Sequence, residues 1–419
     1  MRRRSSRWWS LGLSLGLSLG LAALLAGCAS SGTGSTSGTP TATTGPGPTP
    51  TATLAPGQPT PTPVPAPPHA FSWFEYDSHQ IPQIWASVNG ASPHQITHVA
   101  PDGAACDDQV AWSPPVFSPD LKHIVASLGS FNCGDGDMQG PVSFIDASNG
   151  VVSTLPTGYQ VADIGRRTMG WVNSSKLWFI TFSGVYTYQL GTQGVPHQVT
   201  TVNGANDAVL RGSTLFVQVN TGNPALNWSI ITIDINSGSQ FGGAISQGQT
   251  GQCQCSPGDM HGPGWDVSAD GSHIVYSKVT PGSGTGSNNV GSTKIIYAHS
   301  DGSGAMQIAH ALTANQTILL QISWDGQWVA FTEATPSPTT LTASVNNPGN
   351  QGDPSIHSYH PDSFDYPVWK WDNSQFWADA VAADSTYGQG NPAIYNYHRG
   401  GSSSVGVAHG YNPWYTIGA

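Results

Sequence analysis

The feature that most limits the possible folds is a hairpin pattern that recurs from residue 71 onward. Its clearest copies, residues 267–276 and 322–331, each contain a short apolar strand, an Asp-Gly turn and a second apolar strand. Asp-Gly between alternating apolar segments is a strong hairpin signal. Weaker copies turn near positions 120, 173, 212 and 372, so the turn recurs about every 50 residues.

A second hairpin pattern, a strand followed by a Gly-containing turn and another strand, alternates with the first. Its seven copies are residues 84–90, 142–150, 185–191, 231–238, 295–302, 355–361 and 394–400. Units of about 40 to 50 residues with four strands each are typical of a β-propeller. We therefore predict an all-β fold with seven blades, although six or eight blades also fit the spacing.

The two hairpin patterns do not occur in equal number. The first pattern occurs six times and the second seven times. The opening unit starts at Ala70 with what would be its second strand. Residues 410–417 are left over after the last hairpin. A ring of blades has no open edge when the final residues pair with the first blade. We predict that a C-terminal strand completes blade one and closes the ring.

The repeat resembles that of TolB-type propellers. The resemblance rests on the stretch Ser268, Asp270 and Gly271 before an apolar strand, and on Ile296-Tyr297 with Asp301-Gly302-Ser303. It covers residues 70–419 and implies the propeller fold. Because TolB-type propellers include partner-binding proteins, transporter accessories, peptidase gates and lyases, the resemblance implies little about activity.

The composition agrees with an all-β fold. Charged residues make up 9% of the chain, against about 25% in an average soluble protein. Long exposed helices need many charged residues on their polar faces, so few such helices are expected. Aromatic residues and 51 glycines supply strand and turn chemistry instead.

The first 27 residues have the pattern of an export signal. Four arginines lie within the first seven residues, and an apolar run over residues 11–25 has the length of a signal h-region. The run ends in Leu25-Ala26-Gly27-Cys28, which resembles the lipobox of bacterial lipoproteins. We predict a signal peptide over residues 1–27 and an extracytoplasmic protein anchored to the bacterial cell membrane through a lipid on Cys28. An ordinary secretory signal is the other interpretation.

Residues 28–69 consist almost wholly of Ser, Thr, Pro, Gly and Ala. Such a segment cannot bury enough apolar surface to fold, so we predict a disordered stalk that carries a propeller domain over residues 70–419. Without the four arginines of the signal, 9 basic and 24 acidic residues remain, a formal net charge of −15. That charge argues against nucleic acid and anionic lipid as partners, so contact with the membrane is expected through the anchor only.

Four cysteines follow the lipobox in long connections between hairpins. Cys106 and Cys133 flank the first hairpin of blade two, and an even cysteine count in an exported protein favours disulfides, so we predict a Cys106–Cys133 bond. Cys253 and Cys255 are separated by one residue. They can form a small ring, remain thiols or bind a soft metal ion.

Acidic residues surround the predicted disulfide. They are Asp102, Asp107, Asp108, Asp135 and Asp137, together with the amide of Asn132. Calcium takes six to eight oxygen ligands from flexible loops, so Asp107, Asp108, Asn132, Asp135 and Asp137 are candidate Ca²⁺ ligands. The alternative is a solvated loop that uses Asp and Gly for its turns, since the spacing matches no defined calcium loop.

Signals for catalysis are sparse. His357 and His360 lie three residues apart in a predicted strand, which directs the two rings to opposite faces. Five tryptophans, Trp324, Trp328, Trp369, Trp371 and Trp377, can stack on sugar rings or pack between blades. We therefore predict a monomeric binding or scaffold module for an envelope protein or glycan. The alternative is an enzyme, a lyase or hydrolase that acts on polysaccharide at the mouth of the channel.

Overall fold

The structure is a computed structural model of the whole chain. It describes residues 65–79, 81–100, 110–131, 138–156, 158–161, 166–192, 194–221, 225–252, 262–282, 290–309, 319–333, 339–346, 367–380, 393–398 and 404–418. All of them belong to one compact unit, Val64–Ala419. The regular elements of these residues are β-strands, and no helix among them is long and apolar enough to cross a membrane.

The strands are numbered in chain order. The first nine are β1 (His69–Tyr76), β2 (Pro82–Val88), β3 (His94–Gln95), β4 (Val110–Trp112), β5 (Val116–Phe117), β6 (His123–Phe131), β7 (Met138–Gln139), β8 (Val142–Asp146) and β9 (Val152–Thr154). The next eight are β10 (Met169–Asn173), β11 (Lys176–Thr181), β12 (Gly184–Gln189), β13 (His197–Thr201), β14 (Ala205–Arg211), β15 (Thr214–Thr221), β16 (Ala225–Asp234) and β17 (Gln240–Gln252). The last twelve are β18 (Trp265–Val267), β19 (His273–Pro281), β20 (Val290–His299), β21 (Met306–Ala309), β22 (Leu319–Ile322), β23 (Trp328–Glu333), β24 (Thr339–Ser344), β25 (Val368–Trp369), β26 (Gln375–Ala380), β27 (Ala393–His398), β28 (Ser404–His409) and β29 (Tyr411–Ile417).

The strands form antiparallel sheets of neighbouring chain segments. The sheets contain β29-β1-β2-β3, β4 to β9, β10 to β13, β14 to β21, β22 to β24 and β25 to β28. The sheet of β14 to β21 consists of two antiparallel halves joined by one parallel pair, Gly248 with Val279. Gly248 has a φ of +94°, and a Cβ atom there would lie 2.0 Å from the carbonyl oxygen of Val279. Only glycine fits at this junction.

The first-hairpin pattern is confirmed wherever the sequence indicates it. In the copy at residues 267–276, Val267 pairs with Ile274 across the turn. The Ser268 hydroxyl donates to Asp270 Oδ1 at 2.6 Å and accepts from the backbone N–H of His273 at 3.0 Å. The turns at Ser118 and Ser323 repeat both bonds. The Ser-x-Asp spacing that recurs at these three turns is therefore explained by hydrogen bonds that shape the turn.

The strand β29 pairs with β1 in antiparallel register. Phe71 lies opposite Tyr415, and Ser72 lies opposite Trp414. Tyr415 is buried and stacks on Trp377 of β26, with ring centroids 5.3 Å apart. Residues far apart in the sequence thus share one sheet and one aromatic cluster.

Seven strands, each at an edge of its antiparallel group, contact one another in succession, and they are called the inner strands below. They are β5, β10, β14, β18, β22, β25 and β29, and each contacts the next, while β29 contacts both β25 and β5. Two tryptophans form hydrogen bonds between neighbouring segments. Trp171 Nε1 donates to the carbonyl oxygen of Val116 at 2.9 Å, and Trp324 Nε1 donates to the carbonyl oxygen of Trp369 at 3.0 Å. The core lies between these sheets.

One segment with the composition of a long connection contains a strand. Residues 335–354 are mostly Ser, Thr, Asn and Pro, but β24 lies among them and pairs with β23, with Ala343 opposite Val329. Thr342 and Ala343 are both buried. Threonine is β-branched and suits a half-buried strand, so a Thr-rich segment can pair although its composition resembles a loop. The hairpin predicted at residues 355–361 lies outside the described residues.

Candidate functional site

A cavity of about 260 Å³ lies among the inner strands. Its lining comes from β5, β10, β11, β14, β18, β22 and β29 and from residues next to these strands. Three charged side chains line it: Arg167, Arg211 and Asp266. Four indoles also line it, those of Trp171, Trp178, Trp324 and Trp414. The cavity therefore combines an aromatic wall with a charged wall.

Arg167 is the centre of the charged wall. It lies just before β10, and its side chain is only 5% exposed. Its Nη2 atom lies 2.7 Å from Asp207 Oδ2 and its Nε atom 3.2 Å from Asp207 Oδ1, so the pair has two contact points. Its Nη1 atom lies 2.8 Å from Asp266 Oδ1. The guanidinium carbon also lies 4.8 Å from the centre of the Trp265 ring, a cation–π distance.

Asp266 joins this pair to two further strands. Its Oδ2 atom accepts from the backbone N–H of Ile322 at 3.0 Å, and its Oδ1 atom lies 3.8 Å from Arg211 Nη2. Burial raises the pKa of Asp266, and the guanidinium groups of Arg167 and Arg211 act against that rise. The network thus ties together β14, β18, β22 and the residues before β10.

Arg211 is the more accessible of the two arginines, with a side chain that is 25% exposed. Its guanidinium donates to the carbonyl oxygens of Val267, Ser268 and Leu210 at 2.9 to 3.2 Å. These bonds hold the side chain at the wall of the cavity. Because a guanidinium carries five N–H donors, donors remain for a bound molecule.

The charged wall is balanced and offers little to acid–base catalysis. Two arginines and two aspartates form the network, so their formal charges cancel. In the part of the lining that the structure describes, Asp266 is the only carboxylate, and it is held between two guanidinium groups.

The tryptophans singled out in the sequence divide between packing and lining. Trp369 and Trp377 are buried, and Trp377 packs against Phe71 and Tyr415, so these two serve the packing of the sheets. Trp324 is half-buried and lines the cavity. Trp328 and Trp371 are half-buried and are not among the lining residues.

The site residues predicted from the sequence lie outside the described residues. They are Cys28, Cys106, Cys133, Cys253 and Cys255, and the candidate calcium ligands Asp107, Asp108, Asn132, Asp135 and Asp137. His357 and His360 lie outside as well. Within the ranges that the structure describes, no three His, Cys, Asp or Glu side chains come together as a metal site. The disulfide and the calcium site stay predictions.

Sequence reasoning missed the charged network. A signal was nevertheless present, because Arg167 and Arg211 belong to only nine basic residues in the chain after the signal segment. Asp207 and Asp266 lie just before the hairpins predicted from residues 209 and 267, and the structure includes them in β14 and β18, where an aspartate is unfavourable without a partner. Scarce charges inside apolar strands indicate ion pairs, although the pattern does not say which residues pair.

Comparisons with known proteins give structural similarities only. No family model matches the chain, and no curated protein matches it. TolB from Acinetobacter baumannii is 11% identical with a TM-score of 0.45, and the match covers 83% of this chain and 66% of that one. The β-propeller domain of the Trilobed protease from Pyrococcus furiosus is 11% identical with a TM-score of 0.45, covering 82% and 97%. An acylaminoacyl peptidase from Pyrococcus horikoshii is 10% identical with a TM-score of 0.44, covering 72% and 46%.

Proposed function

We propose that the chain is a lipid-anchored, extracytoplasmic β-propeller that binds a protein or glycan partner at the cell envelope. The observation that carries this proposal is the cavity among the inner strands. Its aromatic wall and its accessible Arg211 provide binding chemistry, while Asp266, the one carboxylate among its described lining residues, lies between two guanidinium groups. The proposal follows from the chemistry of this lining.

The proposal includes a ring of seven blades closed by the C-terminal strand. Two observations support it: the pairing of β29 with β1, and the contacts that connect the inner strands from β5 to β29 and back to β5. The single parallel pair between β17 and β19 then joins two neighbouring blades. A rigid ring of this kind holds its inner strands in a fixed relation, as a preformed binding site requires.

The proposed export and membrane anchoring rest on the sequence. The apolar run over residues 11–25 and the lipobox that ends at Cys28 support export and lipidation, and the Ser/Thr/Pro-rich segment over residues 28–69 supports a stalk. A Cys106–Cys133 disulfide and a calcium site at Asp107, Asp108, Asn132, Asp135 and Asp137 belong to the same proposal. An exported protein meets the oxidising conditions in which such a bond forms.

The function is tested by separating capture from catalysis. The full-length protein, solubilised in detergent, is immobilised and exposed to envelope extract, and retained proteins and glycans are identified. A binding module retains a specific partner and releases no new reducing ends from polysaccharide. If reducing ends appear at a rate proportional to the amount of protein, the enzyme alternative replaces the binding proposal. If nothing is retained and nothing is cleaved, both are wrong.

A further inference from the structure

We propose that the cavity among the inner strands is a subsite for one neutral sugar residue, the terminal pyranose of a glycan. This inference rests on the proposed binding function and narrows its ligand class. Three properties of the cavity carry it: its size, its aromatic wall and the balanced charge of its polar wall.

The size of the cavity limits the ligand to about one ring. Sites for drug-sized ligands have volumes of about 300–1,000 Å³. At about 260 Å³ this cavity lies just below that range. It is therefore suited to a single sugar residue rather than to a longer segment of a chain.

The aromatic wall suits the apolar face of a sugar ring. The indoles of Trp171, Trp178, Trp324 and Trp414 line the cavity, and two of them, Trp324 and Trp414, are half-buried and keep accessible surface. The face of an aromatic ring carries partial negative charge, which attracts the slightly positive C–H groups of a pyranose. The indole of Trp324 is held by its bond to the Trp369 carbonyl at 3.0 Å, so the platform is formed before a ligand arrives.

The polar wall supplies donors for hydroxyl groups. Arg211 keeps a 25% exposed side chain with N–H groups left over after its backbone contacts. Gln321 also lines the cavity, and its Oε1 atom accepts from the Trp369 backbone N–H at 2.8 Å, so its side-chain NH₂ group is the donor that this residue has to offer. Hydroxyl groups accept such bonds and need no charge on the ligand.

The charge balance favours a neutral sugar over an acidic one. The two arginines of the network already pair with Asp207, which lies behind the lining, and with Asp266, so little of their positive charge is left to pair with a bound carboxylate. The chain after the signal segment also carries a formal net charge of −15. A uronic acid would therefore gain little from Arg211 and would be repelled by the protein as a whole.

The test uses intrinsic tryptophan fluorescence, because four indoles line the cavity. The full-length protein in detergent is titrated with the methyl glycosides of glucose, galactose, mannose and N-acetylglucosamine, with their linear trisaccharides, and with galacturonic acid. We expect a saturable change with at least one neutral glycoside, with a Kd in the millimolar range, which is about 4 kcal/mol of binding. The matching trisaccharide should bind within about threefold of the glycoside, since only one residue enters.

Two variants show whether the signal comes from the cavity. Ala269 is an exposed lining residue, so Ala269→Trp places an indole in the cavity without disturbing the core, and it should weaken sugar binding at least about tenfold. Trp328→Phe is the matched control, because Trp328 is half-buried and is not among the lining residues, and it should leave the Kd unchanged. Both variants must unfold at the temperature of the wild type for the comparison to count.

The outcomes separate this inference from the proposed function. If no neutral glycoside binds while the protein still retains a partner from envelope extract, the sugar subsite is wrong and the binding function stands. If that retention is also lost in Ala269→Trp, the cavity receives a protein side chain instead of a sugar. Binding of galacturonic acid with a lower Kd than every neutral glycoside also overturns the inference.

Discussion

Arg167 and Asp207 form a buried ion pair with two contact points, 2.7 Å and 3.2 Å long, between β14 and the residues before β10. Arg167→Met leaves two buried carboxylates, Asp207 and Asp266, without their shared partner. Removing one member of a buried pair ordinarily costs about 3–5 kcal/mol. We expect a loss of unfolding free energy of that size, measured by urea denaturation of the full-length protein.

The control for this prediction is an exposed ion pair. Lys122 Nζ lies 3.8 Å from Asp120 Oδ2, and the lysine side chain is 75% exposed. Lys122→Met should change the unfolding free energy by less than about 1 kcal/mol. Equal effects of the two substitutions would show that the buried network contributes no more than a surface contact.

Deleting residues 411–419 should destabilise the fold, although a loose C-terminal tail tolerates such a deletion. The deletion removes the partner of β1 and the buried ring of Tyr415. Burial of one such side chain contributes about 1.5–3 kcal/mol, and the lost strand pairing adds to it. Thermal unfolding and gel filtration should show a lower melting temperature or aggregation. Deletion of Ala419 alone is the control. If the protein without residues 411–419 has the same melting temperature as this control and stays monomeric, the prediction is wrong.

Acid should weaken the turn at Asp270. Hydrogen bonds from the hydroxyl groups of Ser268 and Ser272, and from the backbone N–H of Ser272, lower the pKa of Asp270 from 3.8 to about 2. Because the pKa is lower in the folded state, the stabilisation is present above about pH 4 and is lost as the pH falls toward 2. Asp270→Asn should therefore lower stability at pH 7 and match the wild type near pH 2. The stability of Ser272→Ala at pH 7 should lie between those of the wild type and Asp270→Asn. Parallel curves of stability against pH for all three proteins would contradict the role of these hydrogen bonds.

The lipid anchor is tested at Cys28. Cys28→Ala removes the sulfur and the cleavage site of the lipobox, so we expect either an unprocessed precursor or release to the soluble fraction. Cys106→Ala is the control and should be processed and retained in the membrane like the wild type. Processing and retention of Cys28→Ala would show that the segment is no lipoprotein signal.

Calcium should stabilise the protein if the acidic loops bind it. A ligand that binds only the folded state raises the melting temperature by mass action. The double substitution Asp135→Asn with Asp137→Asn should abolish the shift produced by millimolar calcium. The matched control replaces with Asn both Asp146 and Asp234, which are half-buried residues at the ends of β8 and β16, away from these loops in sequence, and it should keep the shift. Melting curves that do not respond to calcium leave only the solvated-loop interpretation.

The hairpins were predictable because their signals are local. Asp270-Gly271 and Asp325-Gly326 lie between apolar strands only a few residues away, and the turn geometry follows from those residues alone. The pairing of residues 410–417 with β1 was predictable for another reason, since counting hairpins left one strand without a partner. In both cases the evidence is contained in the order of the residues.

The cavity and its charged network were not predictable in this way. Arg167, Asp207 and Asp266 belong to three different repeats, and their contact depends on how neighbouring sheets pack. β24 was missed because Ser and Thr residues also occur in loops, and only its pairing with β23 shows that the segment is a strand. Contacts between repeats carry no local signature, so sequence patterns describe each repeat better than the site that several repeats build.

The pairing of Phe71 with Tyr415 also sets the order in which the molecule can fold. Synthesis proceeds from the N-terminus, so β1 exists long before β29 does, and the hydrogen-bonding groups of β1 that face β29 stay unpaired until residues 411–417 have been made. Bringing together ends so distant in sequence carries a loop-closure entropy cost and is slow compared with hairpin formation. An unpaired strand edge meanwhile invites association with other chains. The last step of folding is therefore the one most exposed to competition from aggregation, and dilution or chaperone assistance should matter most at that step.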